Sequence, residues 1–127
     1  MCREALGEVR FGQWEGMAIA ELALDPEWQR FNARRSIVRA PGGESMIEVQ
    51  VRMIREIEAI QRQHIGEATV VVVSHADPLR ALIAHYLGIP LDLMLRFEVS
   101  PASVTKIEGE SAEARVLCLN NTGTDSP

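Results

Sequence analysis

Basic clusters, long apolar runs and paired cysteines are all missing from this sequence, and each absence excludes a class of function. Lys and Arg form no block and the formal net charge is −5, so no nucleic-acid surface is expected, since one needs clustered positive charge. A negative average does not bar a small anion, because a few local donors can outweigh it. No apolar run is longer than Val70 to Val73, far short of a membrane span. Charge enters early at Arg3 and Glu4 with no apolar stretch behind it, so a secretory leader is not expected. Cys2 and Cys118 lie far apart and form no CxxC pair. Free thiols and a cytoplasmic location are the expectation. No ligand spacing suits a metal, and neither repeats nor low-complexity tracts occur. What remains is 127 residues at 46% hydrophobic, enough for one domain with its own core.

The elements follow from pattern. Leu6 to Gly16 mixes polarity around Gly7, Gly12 and Gly16, which predicts a structured loop. Weak helical stretches follow from Met17 to Leu24 and from Glu27 to Arg35, broken at Asp25-Pro26. Ser45 and Glu48 have the spacing of a capping box. Behind them Met46, Val49, Met53, Ile57 and Ile60 recur every three or four residues, predicting a helix from Met46 to about His64. Thr69 to Ser74 is a β-branched run without alternation, which predicts a strand buried on both faces, as in a parallel sheet under helices. Asp77 as N-cap and Pro78 as first residue predict a helix ending at Gly88, with Leu79, Leu82, Ile83 and Tyr86 on its apolar face. A helical turn near Leu91 to Leu95 is followed by extended stretches at 97–99, 103–108 and 114–119, with a turn at Gly109-Glu110-Ser111. The fold class is therefore α/β with a mixed sheet. One domain spans 1–119 and a fraying tail 120–127.

Two residues draw attention chemically. His75 stands where the buried strand gives way to a helix N-terminus, the edge at which open α/β sheets bind ligands. Free helix amides suit phosphate, and a histidine there can donate to a phosphoryl oxygen. The alternative is a histidine that only bonds a strand-end carbonyl. Glu8 lies between glycine turns and aromatic Phe11 and Trp14. Partial burial would fit it as a general acid, whereas most loop carboxylates are simply solvated.

Taken in order, Leu6-x-Glu8-x-x-Phe11-Gly12-x-Trp14-Glu15-Gly16, Pro41-Gly42-Gly43-Glu44-Ser45, Ser74-His75, Leu87-Gly88-Ile89-Pro90, Pro101-Ala102-Ser103-Val104 and Leu119-Asn120-Asn121-Thr122 resemble the histidine phosphatase, or phosphoglycerate-mutase-like, superfamily. No single motif is specific, but the ordered set is. The resemblance implies a partial three-layer fold with a mixed, mostly parallel sheet and flanking helices. It also implies a phosphomonoester phosphatase working through a phosphohistidine, acting on a small phosphorylated metabolite without cofactor or metal. On this resemblance Glu8 protonates the leaving group. His75, with the Ala76 backbone, holds the phosphoryl group, and Ala76 stands where the family more often has Gly. Glu44, Ser45 and Arg80 lie near the pocket rim, Arg80 more structural than catalytic.

The family nucleophile sits in an Arg-His-Gly motif, and a further arginine in a Ser-Pro-Leu-x-Arg-Ala type segment. Neither occurs in this sequence. The expectation is a truncated domain, inactive or impaired by itself. The alternative is a non-catalytic oligomeric scaffold or weak binder of phosphate compounds. His64 and His85 stand at a helix end and on a helix surface, so neither replaces the nucleophile, which must be held rigidly in line with phosphorus. Without a neighbouring strand, Thr69 to Ser74 would leave an apolar edge that templates pairing with another chain. A homodimer or other homo-oligomer is expected.

Overall fold

The computed structural model describes residues 1–123. Among the described residues, four α-helices and one two-stranded sheet form the regular structure: α1 (Ile19–Leu22), α2 (Pro26–Ala33), α3 (Met46–Gln63), α4 (Ala76–Leu87), β1 (Val104–Glu108) and β2 (Arg115–Asn121). Short 3-10 turns stand at Glu4–Leu6, Gly12–Trp14, Leu91–Arg96 and Ser111–Glu113. No helix among the described residues is long and apolar enough to cross a membrane.

Helix α3 begins where the capping box predicts. The Ser45 hydroxyl accepts from the Glu48 amide at 3.3 Å, and the Glu48 carboxylate accepts from the Ser45 amide at 3.1 Å. Each bond satisfies a donor that the first helical turn leaves free. Met46, Val49, Met53 and Ile60 turn inward as the periodicity requires. They pack against α4, whose buried face is made by Ala81, Leu82, Ile83 and Ala84. The two alanines lie there instead of the expected Leu79 and Tyr86, which are half-buried at its margin. Phe31, Met46, Val49, Met53 and Met94 have no exposed surface, and each such burial contributes about 1.5–3 kcal/mol. An aromatic cluster closes one end of this core: Trp14 meets Trp28 at 5.1 Å and Phe31 at 5.4 Å, both edge to face.

Three expectations are corrected. Residues 69–74 form no strand and join no ladder, and Val71 and Val73 are 83% and 85% exposed. A doubly buried strand needs strands beside it and helices over it, and the described residues supply none. The only sheet among them is antiparallel, β1 with β2, so the parallel part of the expected sheet is not formed here. At α4 the N-cap is His75, not Asp77. The Asp77 carboxylate is held instead by Arg35 at 2.9 Å and Arg80 at 3.2 Å, so it is not free to cap. Finally, β2 carries Asn120 and Asn121 within the sheet, past the expected start of the tail. Asn120 adopts positive φ and accepts from the Ser100 amide at 2.7 Å. The rest of that expected tail, from 124 on, lies outside the described residues.

Candidate active site

His75 and Glu8 come together although 67 residues separate them. The Nδ1 of His75 lies 3.7 Å from Oε2 of Glu8, with the side chains 52% and 46% exposed. Two structural facts place them. Helix α4 starts at Ala76, so the His75 ring and the first-turn amides sit together at a helix N-terminus. The first helical bond runs from the Leu79 amide to the His75 carbonyl, so the amides of Ala76 and Asp77 precede it and face outward from the ladder. The Ser74 hydroxyl then ties this segment to the Glu8 loop by donating to the Leu6 carbonyl at 2.6 Å. The Glu8 carboxylate also accepts from the Val9 amide at 2.8 Å. The Glu8 side chain is about half-buried, with 46% of its surface exposed, so the burial that would suit a general acid is present only in part.

The loop carrying Glu8 is braced from α3. The Gly43 amide bonds the Ala40 carbonyl at 2.8 Å, and the Glu44 amide bonds the Arg10 carbonyl at 2.8 Å. The Gln13 amide bonds the Pro41 carbonyl at 2.8 Å. Glu44 is 8% exposed. Its carboxylate takes Arg52 Nε at 2.9 Å and Nη2 at 3.1 Å, and the Arg10 amide at 2.9 Å. Burial by itself would push the Glu44 carboxyl up. The hydrogen bonds from Arg52 and the Arg10 amide, with the charges of both arginines, outweigh it and hold the carboxyl below its usual value.

The remaining candidates fall as follows. Ser45 is spent on capping α3. Arg80 donates to Asp77 and, at 2.6 Å, to Glu98. Ala76 is exposed at the first position of α4. His64 has its Nδ1 2.9 Å from the Ile60 carbonyl at the end of α3, and His85 meets Tyr86 edge to face with ring centres 5.4 Å apart. Neither is joined to the Glu8–His75 pair.

Sequence reasoning missed three contributors. Arg35 is 4% exposed and binds Asp77 from beneath the α4 N-terminus, with its guanidinium 5.1 Å above Phe31. Arg52 and the bridging role of Ser74 were missed as well. Arg52, next to Met53 of the apolar face of α3, is the one local signal that could have been followed. Its meaning depends on a partner far away in sequence.

Comparisons with known proteins show the family and the fold. The family model of the histidine phosphatase superfamily (branch 1) matches residues 2–122. Phosphoserine phosphatase 1 of Hydrogenobacter thermophilus is 32% identical over 117 residues, covering 91% of this chain and 55% of that protein. The structure of Bacillus stearothermophilus YhfR superposes with a TM-score of 0.85 at 30% identity, covering 94% of this chain and 60% of that one. A phosphoserine phosphatase mutant from Entamoeba histolytica, in complex with phosphoserine, has a TM-score of 0.77 at 21% identity and shares the fold. The chain thus spans little more than half the length of the first of these relatives, and its fold is α/β like theirs.

Proposed function

The chain belongs to the histidine phosphatase superfamily, and on that premise we propose that it carries the acid half of a phosphomonoester phosphatase site. The observation that carries this is the meeting of Glu8 and His75 at the N-terminus of α4. In the proposed reaction a histidine nitrogen attacks phosphorus and the bond to the leaving oxygen breaks, while Glu8 passes its proton to that oxygen. Glu8 then takes a proton from the water that splits the phosphohistidine. His75 and the α4 amides hold the phosphoryl oxygens throughout. The nucleophile comes from residues outside these 127, since neither His64 nor His85 reaches the site. The substrate class is a small phosphorylated metabolite. The name of the Hydrogenobacter relative makes phosphoserine the first compound to try.

This division predicts the outcome of a simple assay. The 127-residue chain should hydrolyse p-nitrophenyl phosphate no faster than its Glu8→Ala and His75→Ala variants. Turnover that both substitutions abolish would show a nucleophile within the chain and overturn the division.

A second reading, an oligomeric scaffold or weak phosphate binder, draws support from the exposed valines at 71 and 73, which pair with no strand among the described residues. We propose that this edge is covered by a second copy, because unpaired strand groups flanked by apolar side chains are templates for pairing. In gel filtration with light scattering the chain should run as a dimer or larger, and a Val71→Lys, Val73→Lys double variant should shift towards monomer. A stable, non-aggregating wild-type monomer would contradict this.

A further inference from the structure

We propose that Glu44 and Arg52 are positioning residues for Glu8, an inference that rests on the reading of Glu8 as the acid. The Glu8 carboxylate has few anchors of its own. One is the amide of its neighbour Val9, which moves with the loop, and the other is His75 at 3.7 Å. Where the carboxylate sits is therefore decided by the backbone of residues 5–10. Ser74 holds that backbone at the Leu6 carbonyl, and one side chain makes three further bonds to it. Arg52 donates to the carbonyls of Ala5 at 2.7 Å, Gly7 at 3.0 Å and Glu8 itself at 3.0 Å. Its two remaining donors go to the two oxygens of Glu44. All five N–H groups of the guanidinium are thus used.

Glu44 completes the clamp from the other end of the loop by accepting from the Arg10 amide. Arg52 stands on the 18-residue α3, whose first turn is capped immediately after Glu44. The loop is therefore referenced to the most regular element of the fold. Lysine could not do the same, since its ammonium has three donors and no planar fork. A pair meant only for stability would have no need of three carbonyls from the acid loop. Buried ion pairs on their own also offset much of their attraction by lost hydration.

The test reads the site directly, with the 127-residue chain isotope-labelled and the histidine rings observed by long-range proton–nitrogen NMR at fixed pH. Glu8→Gln sets the reference change at His75. Arg52→Met and Glu44→Gln are each expected to move the His75 ring signals towards that reference, leaving those of His64 and His85 in place. Amide exchange at Val9 and Arg10 should rise by on the order of tenfold, as expected when a local opening becomes easier. Arg52→Lys should fall between wild type and Arg52→Met. Should Arg52→Met fail to fold, the near-isosteric Glu44→Gln decides. If Glu8→Gln moves His75 and the clamp variants leave it at the wild-type position, the clamp is structural only and the proposal is wrong. If Glu8→Gln leaves His75 unmoved, the pairing of acid and histidine fails first and the proposal falls with it.

Discussion

Gly43→Ala should lower the unfolding free energy by about 3 kcal/mol, the upper end of what overpacking costs. A Cβ at Gly43 would fall on the Arg10 carbonyl oxygen and also lie 2.9 Å from the Gly12 amide nitrogen and the Phe11 carbonyl carbon. These obstacles are backbone atoms, which cannot swing aside as a side-chain tip can. Relief would require the 40–44 turn to part from the 10–13 loop, breaking the bonds between Gln13 and Pro41 and between Glu44 and Arg10. Gly42 provides the control. Its φ is +69° but its nearest neighbour, the Gln13 side chain, is 3.7 Å from a Cβ, so Gly42→Ala should cost only about 1 kcal/mol of backbone strain. Urea unfolding of the two variants should therefore separate them clearly. Equal midpoints would mean that the two loops are not in close contact.

Asp77→Asn is expected to cost a similar amount, about 3 kcal/mol, because it removes the charge facing a buried arginine. Arg35 is among the least exposed charged residues of the chain. Its Nη1 meets Asp77 at 2.9 Å and its Nη2 meets Asn32 at 2.5 Å, while its Nε is buried without a partner. Neutralising Asp77 leaves that guanidinium without a counter-charge. Adding Arg35→Met should recover most of the loss, since removing both partners spares the desolvation that removing one leaves uncompensated. A double variant as unstable as the sum of the singles would show that the pair is not coupled. The position matters for the site, because Asp77 lies two residues after His75 and the pair anchors the turn that follows α2 to the N-terminus of α4.

How much of this was legible in the sequence depended on how local the cause was. The α3 capping box and apolar face are written within four-residue spacings, and the helix begins at the expected residue. Gly88 ends α4 with φ of 68°, as a left-handed cap should. The Glu8 and His75 candidates were visible because motif order carried them, and the structure brings them together. The reading of residues 69–74 went wrong in burial, since a run of valines records an environment that other strands must provide. Asp77 looked like a cap because its type and place are those of a cap, and Arg35, 42 residues away, claimed it. Glu44 was placed at a pocket rim by its motif, while its side chain turns towards Arg52. Nothing in the spacing of Glu44 and Arg52 announces that their shared target is a loop more than thirty residues earlier.

The most direct test of the account is inorganic phosphate binding to the 127-residue chain, followed by phosphorus NMR line broadening. The account predicts broadening at millimolar phosphate that His75→Ala removes and that His85→Ala, on the same helix, leaves intact. Broadening that survives His75→Ala, or none in the wild type, would contradict the assignment of a phosphoryl site to the N-terminus of α4.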